Sequence, residues 1–248
     1  MIQIFLFVLG TIIGSFLNVF ALRWNTGLKL GGRSSCSTCN TQLKWWELLP
    51  VLSFFVLRGR CSKCGAKISW QYPIIEIWTG LVFATLPGIN IFLLLTFSLY
   101  IAISIYDVRH KIIPDGMVYL SIFFAFIYRF LQTGNTSVDW LAGPILFCFF
   151  GAIWAISRGR AMGFGDAKLA LSIGLLLGGA VSFSAIVLAF WIGAAYGLVT
   201  IGVSRITPLL RGSKFITMKS EVPFAPFIIL GAWLAEIFRL DLFHVSLF

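Results

Sequence analysis

Residues Ala161–Gly179 read AMGFGDAKLALSIGLLLGG, an aspartate beside glycine at the head of a run that carries no charge after Lys168. An ionised carboxylate at the centre of a bilayer costs ~2.5–3.5 kcal/mol or more, so Asp166 is expected at the mouth of a membrane helix whose apolar body is Leu169–Leu177. The same texture extends outward in both directions. The 248 residues are 59% hydrophobic and only 11% charged, with a mean hydropathy of +0.95, whereas an average soluble domain is about one quarter charged. The composition therefore predicts an all-α polytopic membrane protein and excludes an ordinary soluble domain.

Apolar runs measured against the ~20 residues that cross a bilayer predict about eight transmembrane helices, at 3–22, 73–87, 89–106, 115–131, 138–157, 167–179, 182–203 and 222–239. The pair on either side of Leu86-Pro87-Gly88-Ile89 is short. A net charge of +10 suits a nucleic-acid partner only if the basic residues cluster on an exposed face, and they do not. All Lys and Arg except Arg129 and Arg239 fall in alternate connections. By the positive-inside rule those connections are cytoplasmic and both termini lie outside. The expected place is thus a membrane, with lipid as a partner and no nucleic acid. The first apolar run lacks a basic start and is followed by its basic flank, so it reads as a retained helix rather than a cleaved signal. The expected division is a first helix over 1–22, a cytoplasmic four-cysteine domain over 23–72 and a membrane domain over 73–248.

Four of the five cysteines stand in that one long connection, as Cys36-Ser-Thr-Cys39 and Cys61-Ser-Lys-Cys64, with 21 residues between the two pairs. Two CxxC turns at this spacing suit a zinc ribbon, each turn donating two sulfurs to one tetrahedral ion. The alternatives are two disulfides or idle thiols. A reducing cytosol disfavours disulfides, and a short loop with a small core needs a staple. Zinc held by Cys36, Cys39, Cys61 and Cys64 would be structural, because four thiolates leave no open coordination position. Cys148 stands alone in an apolar run and reads as a small buried side chain.

Only nine acidic residues exist, so each can be weighed. Asp139, Glu236 and Asp241 fall toward the outer side. Asp107 closes the apolar run LTFSLYIAISIY, and Asp166 follows Gly163-Phe164-Gly165; both are expected at the cytoplasmic membrane edge. Taken singly, each is an ordinary helix-terminal carboxylate, as is Asp115 after Pro114. As a pair from two non-adjacent helices they suit aspartyl proteolysis, in which one ionised carboxylate activates water and its protonated partner polarises the scissile carbonyl. Gly163 and Gly165 are expected to permit unusual backbone angles and the close approach of an extended chain. Glu76, Glu221 and Lys168 are further candidates for contacts to substrate or to the site, with helix anchoring as the alternative for the two glutamates.

Several stretches, taken in order, resemble the type IV prepilin peptidases. They are Gly14-Ser15-Phe16-Leu17-Asn18-Val19, Arg33 through Cys39, Leu57 through Gly65, and Tyr72-Pro73-Ile74-Ile75-Glu76. They continue with Asp107 through Ile113-Pro114-Asp115, Gly163-Phe164-Gly165-Asp166 with Lys168, and Pro223-Phe224-Ala225-Pro226. The resemblance implies that Asp107 and Asp166 are the catalytic pair, the second within the GxGD signature shared with presenilin-like intramembrane proteases. It implies as substrates the precursors of type IV pilins, pseudopilins or competence pilins, cut at the cytoplasmic face between a basic leader and the hydrophobic helix. It also implies N-methylation of the new terminus, often phenylalanine, by S-adenosylmethionine, an activity associated with the cysteine-bearing region. No glycine-rich loop for the methyl donor is legible.

Two other classes compete on the residues alone. A proton-coupled transporter also uses paired membrane carboxylates, but it commonly shows duplicated halves and mid-span sites, and no internal repeat is visible. A zinc-stapled assembly factor without catalysis would need neither aspartate.

Overall fold

The computed structural model describes residues 1–25, 34–36, 38–206 and 223–242. Glu221 lies outside the described residues. The chain forms two compact units, Met1–Ile89 and Asn90–Phe248.

The first unit contains α1 (Ile2–Arg23), a 3-10 turn at Trp45–Leu48, the short α2 (Leu52–Val56) and α3 (Gln71–Thr85). Lipid tails are as apolar as leucine, so helices in a bilayer associate through close van der Waals contact between small residues. That is how α1 meets α3. A Cβ on Gly10 would stand 2.7 Å from the Thr79 carbonyl oxygen, and one on Gly80 2.8 Å from Thr11 Cγ2. Asn18, fully buried on α1, donates to the Gly14 carbonyl and accepts from Gln71 Nε2 on α3, both at 3.3 Å.

The second unit contains α4 (Ile91–His110), α5 (Asp115–Leu131), α6 (Ser137–Ser157), α7 (Phe164–Leu177), α8 (Gly179–Ile206) and α9 (Ala225–Phe238). α7 is the centre of this unit and contacts α5, α6, α8 and α9. On α6 and α7, Gly143 and Gly174 bring the two backbones together; a Cβ on Gly174 would lie 2.5 Å from Gly143 Cα. Three hydroxyls tie α4, α5 and α7 inside the bundle: Ser172 Oγ lies 2.9 Å from Tyr100 Oη and 3.0 Å from Ser121 Oγ.

With 14 residues, α7 is about 21 Å long at 1.5 Å per residue, shorter than the ~30 Å hydrocarbon layer. Its terminal carbonyls would therefore end among apolar groups. Arg129, on α5 and buried, meets them: Nε donates to the Leu175 carbonyl and Nη2 to the Leu176 carbonyl, each at 2.9 Å. Gly178, at φ 80°, then turns the chain, and Asp139 accepts the Gly179 N–H at 3.0 Å where α8 begins. Arg129 and Asp139 are thus helix caps at a chain reversal, where charge counting alone places them as outward-facing residues.

The structure is all-helical as expected. Among the described residues the only strand pairings are the isolated antiparallel bridges Ser35–Gln42 and Arg60–Lys67. Helices of 14 residues or more occupy each of the eight apolar runs. Four of them, Ile2–Arg23, Ile91–His110, Ser137–Ser157 and Gly179–Gly202, are long and apolar enough to cross a membrane by length and composition. Two boundaries differ in ways that matter. α4 runs on to His110, and α7 starts at Phe164, so Asp107 and Asp166 both lie inside helices rather than beside them.

Candidate active site

α4 ends because Lys111 takes left-handed angles at φ 54° and returns its N–H to the Asp107 carbonyl at 2.7 Å. Pro114 then opens α5 as its N-cap. This leaves the Asp107 side chain in the last turn of α4, 5% exposed. On α7, Gly163 is the N-cap and Asp166 sits in the first turn, 7% exposed. The two carboxylates lie within electrostatic reach of one another.

A third element closes the site. Ala225 is the first residue of α9, and its N–H is one of that helix's orphan donors. It donates to Asp107 Oδ2 at 3.2 Å. Pro226 follows, and proline in a first helical turn has no N–H to leave unpaired. The stretch Pro223-Phe224-Ala225-Pro226 thus starts a helix whose first amide is aimed at an acid.

The glycines differ from expectation. Neither Gly163 nor Gly165 has a positive φ, so unusual backbone angles are not their role. Gly165 permits close approach, as a Cβ there would lie 2.8 Å from Ile113 Cβ in the α4–α5 turn. A Cβ on Gly163 would lie 3.5 Å from Asp166 Oδ2, an ordinary contact distance, so close packing does not require glycine at that position. Lys168 points to α5: its Nζ lies 2.7 Å from Asp115 Oδ1, with the Tyr119 and Phe164 rings at 5.1 and 5.3 Å. Glu76 belongs to the first unit. It is buried, and its Oε2 accepts the Val51 N–H at 2.7 Å.

The four paired cysteines meet. Cys36, Cys39, Cys61 and Cys64 place their sulfurs within 4.8 Å of one another, with Cys36 and Cys64 3.7 Å apart. All four are free thiols. A tetrahedral ion with Zn–S bonds of about 2.3 Å has sulfur–sulfur edges of about 3.8 Å, so the cluster has the dimensions of a four-thiolate metal site. The two CxxC turns are built alike. Cys36 N–H donates to the Thr41 carbonyl, Asn40 N–H to the Cys36 carbonyl and Leu43 N–H to the Ser34 carbonyl, at 3.0, 2.9 and 2.9 Å. In the second turn Cys61 N–H donates to Ala66, Gly65 N–H to Cys61 and Ile68 N–H to Gly59, at 2.8, 3.0 and 2.8 Å. Asn40 and Gly65 occupy the same position in the two turns, at φ 53° and 70°, residue types that tolerate left-handed angles. The Thr41 hydroxyl and amide bring the Cys39 thiol down to about 6. The Ala66 amide pulls Cys64 down, but burial and the neighbouring sulfurs outweigh it and push that thiol up to about 12. A bound cation would favour the thiolate at all four.

Comparison with known proteins decides the family. Residues 8–88 match the bacterial peptidase A24 N-terminal domain, and residues 92–198 match the type IV leader peptidase family. A prepilin leader peptidase/N-methyltransferase of Bacillus subtilis (strain 168) is 32% identical over 241 residues, covering 94% of this chain and 93% of the relative.

The chain belongs to the prepilin leader peptidase family.

Proteins of the same description from Stutzerimonas stutzeri and Dickeya chrysanthemi are 29% and 32% identical, covering 92% and 70% of this chain and 88% and 74% of the relatives. No solved structure matches significantly. Within a leader peptidase of this family, the capping role of Arg129 and the pairing of Asp115 with Lys168 are the features that the sequence did not assign. Arg129 had one signal, as a rare charge inside an apolar run; the pairing of Asp115 with Lys168 had none.

Proposed function

We propose that this chain is a multi-pass aspartyl endopeptidase of the bacterial inner membrane. It removes the basic leader of type IV prepilins or pseudopilins at the cytoplasmic face, then N-methylates the new terminus with S-adenosylmethionine. The observation that supports the peptidase chemistry is that Asp107 on α4 and Asp166 on α7 are both buried and lie within electrostatic reach of one another. Two buried carboxylates brought together at one site share a single proton, because like charges at close range cannot both ionise. Asp107 Oδ2 already accepts the Ala225 N–H, which supports Asp107 as the ionised member that takes a proton from the attacking water. Asp166 then holds the shared proton and lends it to the scissile carbonyl. As the tetrahedral intermediate collapses, a proton passes to the leaving nitrogen. Gly163, with no side chain, suits the approach of an extended substrate backbone beside Asp166.

Zinc is the ion proposed for the four sulfurs, as a structural staple of the cytoplasmic segment. The basic flanks of the segment support its cytoplasmic placement. Methylation rests on the names of the relatives; the residues that hold the methyl donor are left unassigned.

The test is mass spectrometry of a prepilin incubated with membranes containing the wild type, Asp107→Asn or Asp166→Asn, with and without S-adenosylmethionine. Leader loss with the wild type alone, followed by methyl addition only when the donor is present, is expected. Leader loss surviving both substitutions would overturn the catalytic assignment and favour the assembly-factor alternative.

A further inference from the structure

Between the two cysteine turns, and again just before α3, the chain leaves large apolar side chains uncovered. Trp45, Trp46, Leu52, Phe55, Val56 and Trp70 are all exposed, Trp45 by 73% and Val56 by 80%. In cytosol such a face is a liability, and it marks a contact with something apolar.

The depth of the segment identifies the contact. Val51 is held by Glu76, whose carboxylate accepts its N–H at 2.7 Å. Glu76 is level with the middle of α1: a Cβ on Gly14 would lie 3.0 Å from Glu76 Cα. Gly14 precedes Arg23, the end of α1, by nine residues, or about 13 Å of helix, and α1 is long and apolar enough to span a bilayer. A glutamate side chain is too short to return Val51 to the end of α1. The neighbouring surface of α1 and α3, including Phe16 and Ile74, is exposed as well.

The backbone of the segment fits that depth. Lipid-exposed non-helical chain is excluded from the hydrocarbon layer, so the segment stays at the headgroup–acyl boundary and pairs its backbone groups there. Val51 has φ 63° and ψ −54°, a γ-turn closed by Leu52 N–H donating to the Pro50 carbonyl at 2.6 Å, and such turns are strained. Glu76 takes the Val51 N–H, and Ser53 N–H donates to the Leu49 carbonyl at 3.0 Å as α2 begins. The charges also suit an interface. Lys44 Nζ lies 4.9 Å over the Trp46 ring, and Arg58 and Arg60 follow α2, matching the aromatic and basic belt that anchors proteins at anionic headgroups.

We infer that Trp45–Val56 is a re-entrant element. It enters the bilayer from the side on which α1 ends, rests its aromatic face against lipid at the headgroup–acyl boundary, and is pinned by the Glu76–Val51 hydrogen bond. Lipid is the occupant of the exposed face, and the four-cysteine cluster is carried at the membrane surface. This inference does not depend on the peptidase chemistry.

The test uses the full chain in vesicles of phosphatidylcholine and phosphatidylglycerol. A benzophenone amino acid replaces Val56, Phe5 on the exposed face of α1, or Lys63 between the cysteines of the second turn. Irradiation followed by mass spectrometry is expected to give lipid adducts at Val56 in yields near those at Phe5 and several-fold above those at Lys63. Glu76→Ala is expected to lower the Val56 yield towards that of Lys63 and leave Phe5 unchanged. Val56 adducts at the Lys63 level while Phe5 labels normally, or adducts to other parts of the chain or to an added prepilin in place of lipid, would overturn the inference.

Discussion

Lys168 Nζ meets Asp115 Oδ1 at 2.7 Å, two residues along α7 from Asp166. The contact joins the start of α7 to the start of α5. Beside it, Ile113 rests on Gly165. Both contacts fasten the α4–α5 turn, which begins just after Asp107, to the helix that carries Asp166.

The pair is therefore expected to set the spacing of the two aspartates. Asp115 is 61% exposed and Lys168 15%, so the ion pair contributes no more than about 1 kcal/mol to stability. Lys168→Ala should leave the melting temperature nearly unchanged. It should lower kcat for leader cleavage on the order of tenfold, within the roughly hundredfold that a 1 Å misplacement can cost. The charge-swapped Lys168→Asp/Asp115→Lys protein should recover part of that loss. A rise in KM without rescue by the swap would instead mean that Lys168 touches the prepilin directly.

Gly165→Ala introduces a Cβ 2.8 Å from Ile113 Cβ. Overpacking of this kind costs about 1–3 kcal/mol, and cleavage should fall with it. Adding Ile113→Ala should restore part of both, because residues in contact are energetically coupled. Thermal melts and single-turnover cleavage of the two single variants and the double variant measure that coupling.

Arg129→Ala leaves the Leu175 and Leu176 carbonyls at the end of α7 without their donors. Two buried acceptors left unpaired cost about 2–6 kcal/mol. Arg129→Lys should recover little, since an ammonium lacks the planar fork that reaches both oxygens. The check is thermal unfolding in detergent, where both variants should melt well below the wild type. A lysine variant with wild-type stability would contradict the capping role.

The cysteine cluster should bind zinc at one ion per chain, and Cys61→Ser or Cys64→Ser should abolish it. The matched hydrogen-bonded turns at 36–40 and 61–65 then lose the ion that joins them, while α4–α9 lie in the other compact unit. Methylation is expected to fail before leader cleavage does. Metal analysis by mass spectrometry, run beside the prepilin assay, measures both; a metal-free wild type with oxidised thiols would overturn the metal assignment.

Helix positions and the cysteine module were legible because each follows from a local property. An apolar run long enough to matter must pair its backbone within itself in lipid, so the eight runs become the helices α1 and α3–α9. CxxC spacing is likewise short-range, since each turn closes within six residues of its own chain. Asp107 and Asp166 stood out for an energetic reason, as charges are scarce and costly in such a sequence. Helix ends were less legible. Left-handed Lys111 and N-cap Gly163 shift them by a few residues, and hydropathy is insensitive to a cap.

What a single chain's pattern does not encode is which distant groups satisfy one another. Composition and spacing determined that this protein is a helical membrane protein with a four-cysteine cluster and two carboxylates near helix ends. Only the tertiary structure decided that the Ala225 amide serves Asp107, that Lys168 turns to Asp115, that Arg129 caps α7, and that Glu76 holds Val51. These contacts join residues 25 to 118 positions apart in the chain. Each exists because a buried donor or acceptor has no water to turn to and must take the partner that packing brings within reach.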